Sequence, residues 1–433
     1  MKNNEQYSKL PGGSFIGAAK KFAFCSTLFI GLVACQKKAG VDVVQGPGKV
    51  SLSGGGPTTL ASPVGDVVGK VTTGYQGWFG AAGDGAPLNS WQHMNLEAWP
   101  DVREYLYTYS GTPFKQNGVT QPGYTGNLGN GTPAKMFSSW SSQTIAKHLQ
   151  WMQQYGIDCV ALQRFGSYLD AGAKKNQFDQ IVAKVRNSAE VYGRKFYIMY
   201  DCNSNTPCEA DWTNSMQQHT ASSAYAKQNG KPVVCFWGVG KDGRGITSEW
   251  VNKINWFKAH GCYVIGGTMG DFSTDTADAP AYLACDMIMA WYVGRTGNFP
   301  PAYSADVAWC NANGKDYQAD IYPGFSFNSD NPSKPKNEIK RLHGDFMWSQ
   351  FAAAKNANVK SVYISMFDEL NEATQIFKTA ENASMAPAGK YFLNLDADGV
   401  ALSSDFYLRL TNDGGKMIKG QIPYTATHPT SHQ

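Results

Sequence analysis

Neither sign of charge dominates this chain of 433 residues, and no apolar run in it is long enough to cross a bilayer as a mature helix. The formal net charge is +4, but residues 1–34 hold four Lys against one Glu, leaving 34 basic and 33 acidic groups beyond them. A chain so balanced lacks the basic face that nucleic acid or anionic lipid demands, so neither is expected as a partner. Motifs are missing too. No Gly-x-Gly-x-x-Gly turn follows the first apolar run at 71–79 and no P-loop is present to cradle a nucleotide, nor is there a Gly-x-Ser-x-Gly elbow to present a serine nucleophile. The cysteines show no zinc-ligand spacing, and no metal and no cofactor are expected.

What the chain does have begins at its N-terminus. Lys20 and Lys21 precede an apolar stretch, residues 22–34, that ends Leu32-Val33-Ala34-Cys35. It is too short for a mature membrane helix and matches the apolar region of a secretory signal. The Leu-Val-Ala-Cys ending resembles the bacterial lipobox. That resemblance implies a signal peptide over 1–34, acylation of Cys35, and a lipid anchor as the membrane contact. Gln36 follows the cysteine in place of Asp, which by the same resemblance implies the outer membrane. Residues 35–69, rich in Gly, Ser, Pro, Thr and Val, are expected to form a flexible tether. Of the later cysteines, Cys159, Cys235, Cys262 and Cys285 lie in apolar runs and read as buried thiols. Cys202 and Cys208 bracket a short loop and are candidates to pair in an oxidising compartment.

From residue 70 onward, short apolar runs alternate with longer amphipathic ones. The short runs span 71–79, 159–165, 195–201, 233–238, 262–267, 287–293, 321–327 and 362–367, and are rich in β-branched and aromatic residues, as buried parallel strands are. Helical patterns cover 143–155, 176–192, 210–228, 248–259 and 338–357, with shorter ones near 277–286 and 301–314 and a closing helix over 404–418. Eight strands so spaced predict an α/β fold, a (β/α)₈ TIM barrel over 70–420 with a short tail at 421–433. The long segment 80–142 then becomes a loop on the barrel's C-terminal face, where active sites are built.

Reactive residues of such a barrel belong at the strand ends. The last strand runs into Phe367-Asp368-Glu369-Leu370-Asn371-Glu372, and Glu369 and Glu372, three apart, share one face of a helical turn. A pair of carboxylates around one sugar is the usual equipment of glycoside hydrolysis; equally, acids here could serve to charge the first turn of the last helix. The remaining strand ends offer Tyr75, Trp78, Arg164, Tyr200, Asp201, Trp237, Trp291, Arg295 and Tyr322, and the long loop adds Trp91 and His93. Aromatic residues make up 13% of the chain, and nearly every strand end sets one beside a hydrogen-bonding group. That recurrence suits a sugar chain, which needs flat faces to stack on and partners for many hydroxyls.

Taken together, Tyr75-x-x-Trp78-Phe79-Gly80, Trp91-x-His93 and Phe367-Asp368-Glu369-x-x-Glu372-x-Thr374 resemble the clan of glycoside hydrolase families 71 and 99, and most closely the bacterial family 71/99-like proteins. The resemblance covers about residues 70–420. It implies a retaining endo-α-glycosidase acting on α-mannan or an α-glucan, by a route in which the first glutamate removes the proton of the sugar 2-hydroxyl. That oxygen closes onto the anomeric carbon, and the second glutamate protonates the leaving oxygen and later activates water. By this correspondence Glu369 is the base and Glu372 the acid. The family motif Glu-Trp-x-Glu-Gly-Thr differs here at two places, with Leu370 for Trp and Ala373 for Gly, and Asp368 adds a third acid. Two rival expectations stand beside this one: a double displacement with Asp201 as nucleophile, and a glycan-binding lipoprotein without catalysis on the same scaffold. The oligomeric state is not encoded in any of these patterns.

Overall fold

The computed structural model describes residues 61–295 and 299–433. The signal peptide, Cys35 and the tether as far as residue 60 lie outside the described residues. The chain opens with β1 (Val71–Tyr75), then a long loop that carries the hairpin β2 (Thr112–Gln116) and β3 (Val119–Tyr124). Next come α1 (Ser142–Gln154), β4 (Cys159–Phe165), α2 (Ala173–Tyr192), β5 (Lys195–Asp201), α3 (Cys208–Asp211), β6 (Lys227–Gln228) and β7 (Lys231–Trp237). The second half holds α4 (Thr247–Ala259), β8 (Tyr263–Met269), α5 (Ala279–Ala284), β9 (Met287–Trp291) and α6 (Tyr303–Ala312). It ends with β10 (Asp316–Ile321), α7 (Asp345–Asn356), β11 (Ser361–Ile364) and α8 (Phe406–Ile418).

Strands β1, β4, β5, β7, β8, β9, β10 and β11 pair in parallel, and β5 pairs with β7 to shut the sheet into the expected barrel. Helices cover its outside and side chains fill its inside, so β1, β10 and β11 are buried at every position. Close packing explains two glycines. A Cβ on Gly74 would sit 2.3 Å from Met366 Sδ and from the Tyr363 hydroxyl, both inside the barrel. A Cβ on Gly414, in the middle of α8, would sit 2.5 Å from the Phe351 ring of α7.

The seventh barrel strand is displaced from the expected 321–327 to Asp316–Ile321. Its alternate residues are polar, yet all are buried and partnered. Asp316 accepts from Ser62 N at 3.0 Å and the Tyr263 hydroxyl at 2.6 Å, Gln318 donates to Thr72 Oγ1 at 3.1 Å, and Asp320 accepts from Tyr292 N at 2.7 Å. Hydropathy has no sight of such internal partners. The helix expected over 338–357 begins only at Asp345, because Leu342 and His343 take left-handed conformations (φ 48° and 43°). The expected helix over 210–228 is α3 continued by π-helical and 3₁₀ turns over 212–221, and it stops at Ala221.

Residues 61–69, which composition assigns to the tether, pack against the barrel's N-terminal end. Val67 and Val68 are fully buried; Val68 N donates to Gln228 Oε1 at 3.2 Å and Gly69 N to Ser361 Oγ at 2.9 Å. Residues 421–433 are likewise pinned, with Trp348 Nε1 donating to Thr425 O at 3.0 Å and Arg409 to Ser431 O at 2.7 Å. Cys202 and Cys208 form no disulfide, the Cys208 thiol donating to Cys202 Sγ at 3.3 Å, and the other cysteines among the described residues are buried thiols. No helix among the described residues is long and apolar enough to cross a membrane.

Candidate active site

At the C-terminal mouth of the barrel a cleft of about 160 Å³ opens between the ends of six strands. Trp78 and Phe165 form one wall, stacked with ring centroids 5.1 Å apart; Trp237 and Trp291 form another, edge to face at 5.6 Å. Gln76, Gln163, Asp201 and Met366 line it as well, and Glu369 and Glu372 both reach it.

The two glutamates stand on a tight turn, not on a helix. After β11 the chain doubles back: Thr374 N donates to Glu369 O at 3.2 Å, Met366 N to Thr374 O at 3.0 Å, and Phe377 N to Phe367 O at 3.0 Å. Since α8 starts only at Phe406, these acids charge no helix N-terminus, and that alternative falls. Ala373 adopts φ 52°, the left-handed conformation glycine favours, at the position where the family motif has glycine. Neighbouring loops hold the turn from outside, Glu97 N donating to Leu370 O at 2.9 Å and Ser326 N to Glu372 O at 2.9 Å. Glu97 in turn accepts from Ser326 Oγ at 3.0 Å and from Ser329 N, which links the long loop to the loop after β10.

Electrostatically the pair is poorly compensated. Glu369 is 4% exposed; its Oε2 accepts from Gln76 Nε2, while its Oε1 has no partner. Burial first, then the negative charges of Glu372 and Asp368, raise its pKa well above the ordinary carboxylate range, and the Gln76 hydrogen bond opposes the shift. Glu372 is half-buried, and burial raises its pKa to about 7 against the pull of Lys241, with Asp330 adding to the rise. Asp201, across the cleft, is raised by burial but held by Arg244 at 2.5 Å. Lys241 and Arg244 both lie over the Trp237 ring, 4.2 and 4.7 Å from its centre.

Of the residues expected at the site, Glu369, Glu372, Trp78, Asp201, Trp237 and Trp291 line the cleft. Seven others do not, and three of these fail for one reason: successive side chains on a strand point to opposite faces, so only one of two neighbours at a strand end can face inward. Tyr75 points outward to His148, its hydroxyl 3.0 Å from Nδ1. Arg164 is clamped to Asp211 by two hydrogen bonds (2.6 and 2.5 Å) and to Asp179 at 2.7 Å. Tyr200 also turns outward and donates to Asp211 at 2.9 Å. Tyr322, just past β10, is buried against Phe299 and Phe346. His93 supports the cleft from behind: it stacks on Trp78 at 3.9 Å and bonds the Tyr168 hydroxyl at 2.8 Å. Burial and Lys174 push its pKa down to about 3, so it is neutral and no proton donor near neutrality. Trp91 packs, part-buried, on the core. Arg295 bonds Asp271 at 3.1 Å and borders an adjacent hollow of about 510 Å³ shared with Lys241, Asp275 and Tyr282.

Gln76, Gln163, Phe165 and Met366 escaped selection, although the same alternation that excludes Tyr75 and Arg164 points to their neighbours. Lys241 and Arg244 come from the glycine-rich turn after β7, for which no sequence pattern signals a place over the cleft. Among the described residues no group of three or more His, Cys, Asp or Glu is arranged to hold a metal ion.

No family model matches the chain, and no curated protein matches it. Among solved structures it is similar to a GH99 endo-α-mannosidase from Bacteroides thetaiotaomicron, in complex with bis-tris-propane, with a TM-score of 0.62 and 15% identity over 82% of this chain and 98% of that one. A second structure of a GH99 endo-α-mannosidase from the same organism gives a TM-score of 0.60 and 16% identity over the same shares. At this identity the likeness is one of architecture: the chain folds as a closed (β/α)₈ barrel like that of the family 99 endo-α-mannosidase.

Proposed function

We propose that this chain is a glycoside hydrolase, a retaining endo-α-glycosidase of α-mannan or an α-glucan in which Glu369 and Glu372 divide the proton transfers. The observation that carries this reading is their shared cleft: two glutamates on one turn, both lining a hollow walled by Trp78, Trp237 and Trp291. Like charges so placed resist losing both protons, so one proton stays on the pair near neutrality. The reactive arrangement has it on Glu372, with Gln76 donating to the Glu369 carboxylate. Glu369 takes the proton of the sugar 2-hydroxyl as that oxygen bonds to the anomeric carbon. Glu372 gives its proton to the departing glycosidic oxygen. Water then attacks the anomeric carbon and loses a proton to Glu372, while the bond from that carbon to the 2-oxygen breaks and the 2-oxygen recovers its proton from Glu369. Two inversions leave the configuration retained. A pKa near 7 suits Glu372, which must act as donor and acceptor in turn.

The test is incubation with α-mannan, α-1,3-glucan and other α-glycans, followed by sizing of the products. Short oligosaccharides are expected from one of them; none from any would leave a glycan-binding protein. A covalent glycosyl adduct trapped on Asp201 would replace the anhydro-sugar route by double displacement. We infer further that Cys35 carries the lipid that holds the enzyme at the outer membrane, so Cys35→Ser is expected to move the protein from the membrane to the soluble fraction.

A further inference from the structure

The glutamate pair leaves one acid of its cluster without a task. Asp368 is fully buried and does not line the cleft. Its Oδ1 accepts from Gln76 N at 2.8 Å and its Oδ2 from Gly77 N at 2.9 Å. These donors are backbone groups of the turn that carries β1 out of the barrel, where Gly77 takes φ 61°. From that turn the Gln76 side chain enters the cleft and donates through Nε2 to Glu369 Oε2. A closed circuit results, from the Asp368 carboxylate to the Gln76 backbone, through the Gln76 amide to Glu369, and back along one peptide bond to Asp368.

A simple clasp between the first and last barrel strands would need only the two backbone bonds. Two further features exceed that need. Gln76 Oε1 and Glu369 Oε1 are both buried without a partner, and such groups are costly unless a function retains them. Burial raises the pKa of Asp368 to about 7 against the bonds from Gln76 N and Gly77 N, and once ionised its carboxylate adds negative charge beside Glu369, where a clasp made from an amide or hydroxyl would add none.

We propose that Asp368 is a positioning residue, which fixes Gln76 by two backbone hydrogen bonds and through the Gln76 amide sets where Glu369 points, with its own negative charge beside that carboxyl group. The inference rests on the glutamate-pair reading above. Asp368 and Gln76 act on Glu369 in opposite directions: the like charge favours its protonated form, and the donated hydrogen bond favours its ionised form. The other charges that bear on the pair are Glu372 and, around it, Lys241 and Asp330. The phenols Tyr75, Tyr105 and Tyr363, which feel the charge of Asp368, stay neutral because burial raises their pKa values.

The experiment follows the titration of Glu369 in the full chain labelled with ¹³C at glutamate carboxyls, with Glu369→Gln to assign its NMR signal. This readout needs no substrate. Asp368→Asn is expected to move the Glu369 titration to lower pH, and Gln76→Met to higher pH. Both variants are expected to lower kcat about tenfold or more while KM changes little, because general acid–base catalysis depends on the geometry of the carboxyl group. A mere clasp would lower stability without opposed titration shifts. Shifts that are absent, or that run the same way in both variants, overturn the proposal. Should Asp368→Asn fail to fold, Gln76→Met decides alone, since it leaves both backbone bonds in place; an unmoved titration with full kcat then overturns it. Opposed shifts in a protein that cuts no α-glycan would sink the hydrolase reading and leave the positioning role standing.

Discussion

Two clusters of buried charge sit at the C-terminal ends of the barrel strands, and they are built on opposite terms. Behind β4 and β5, Arg164 and Lys175 face Asp179 and Asp211, with the Tyr200 hydroxyl completing the set. Each acid there has a cation, and the cluster closes on itself against α2 and α3. At the end of β11, Asp368, Glu369 and Glu372 crowd together, and Lys241 is the cation whose charge reaches Glu372. Balanced charge in a dry place holds walls together, and unbalanced charge is kept where a proton has to come and go. On the proposed reading, that difference, not acidity or burial alone, separates frame from chemistry.

The largest expected effect tests the unbalanced side. Glu372→Gln should lower kcat by about 10²- to 10⁴-fold while the melting temperature holds or rises, since the change relieves like-charge repulsion. Turnover near that of the parent would erase the distinction between the clusters. Arg164→Met tests the balanced side. It takes from buried Asp211 both of its guanidinium hydrogen bonds and leaves Lys175, 3.6 Å away, as the nearest cation, so denaturant unfolding should report a loss of about 3–5 kcal/mol, with KM unchanged in whatever protein remains folded. Unaltered stability together with a raised KM would return Arg164 to the cleft.

A third prediction concerns pH. Glu372 has its pKa raised from 4.5 to about 7 in the folded chain, so between those values the folded state binds more protons than the unfolded one. Stability contributed by this group is therefore present below about pH 4.5 and lost as pH rises through about 7. Melting temperatures across that window should fall with rising pH, less steeply in Glu372→Gln; equal slopes would mean the pair carries no strained proton. Smallest is Ala373→Gly. Relief of a left-handed alanine, worth about 1–2 kcal/mol, is offset by the extra freedom of glycine in the unfolded chain, roughly 0.5–1 kcal/mol. A net gain of under about 1 kcal/mol with unchanged kcat is expected, and a drop in kcat would show that the turn's stiffness serves the glutamates.

The barrel was legible because its signal is redundant. Strands 159–165 and 195–201 coincide with the observed β4 and β5, and every barrel strand except β10 overlaps an apolar run in the sequence. β10 was misplaced because Asp316, Gln318 and Asp320 look like loop until their partners are in view. At the site, the acidic turn could be read from local spacing. The aromatic walls could be read only up to a choice of face, since Tyr75 and Gln76, or Arg164 and Phe165, differ by one residue in register and by the full thickness of the wall in position. Lys241 and Arg244 were out of reach, because no periodicity governs a glycine-rich turn.

The packing of residues 61–69 has a directional consequence. Ser62 is fastened to Asp316 at the start of β10, and Gly69 to Ser361 at the start of β11, so the chain leaves the barrel by its floor. Anything that grips the protein upstream of residue 61 pulls on the side opposite the tryptophan-lined opening. A hold on the chain upstream of residue 61 would therefore leave the tryptophan-lined rim unobstructed.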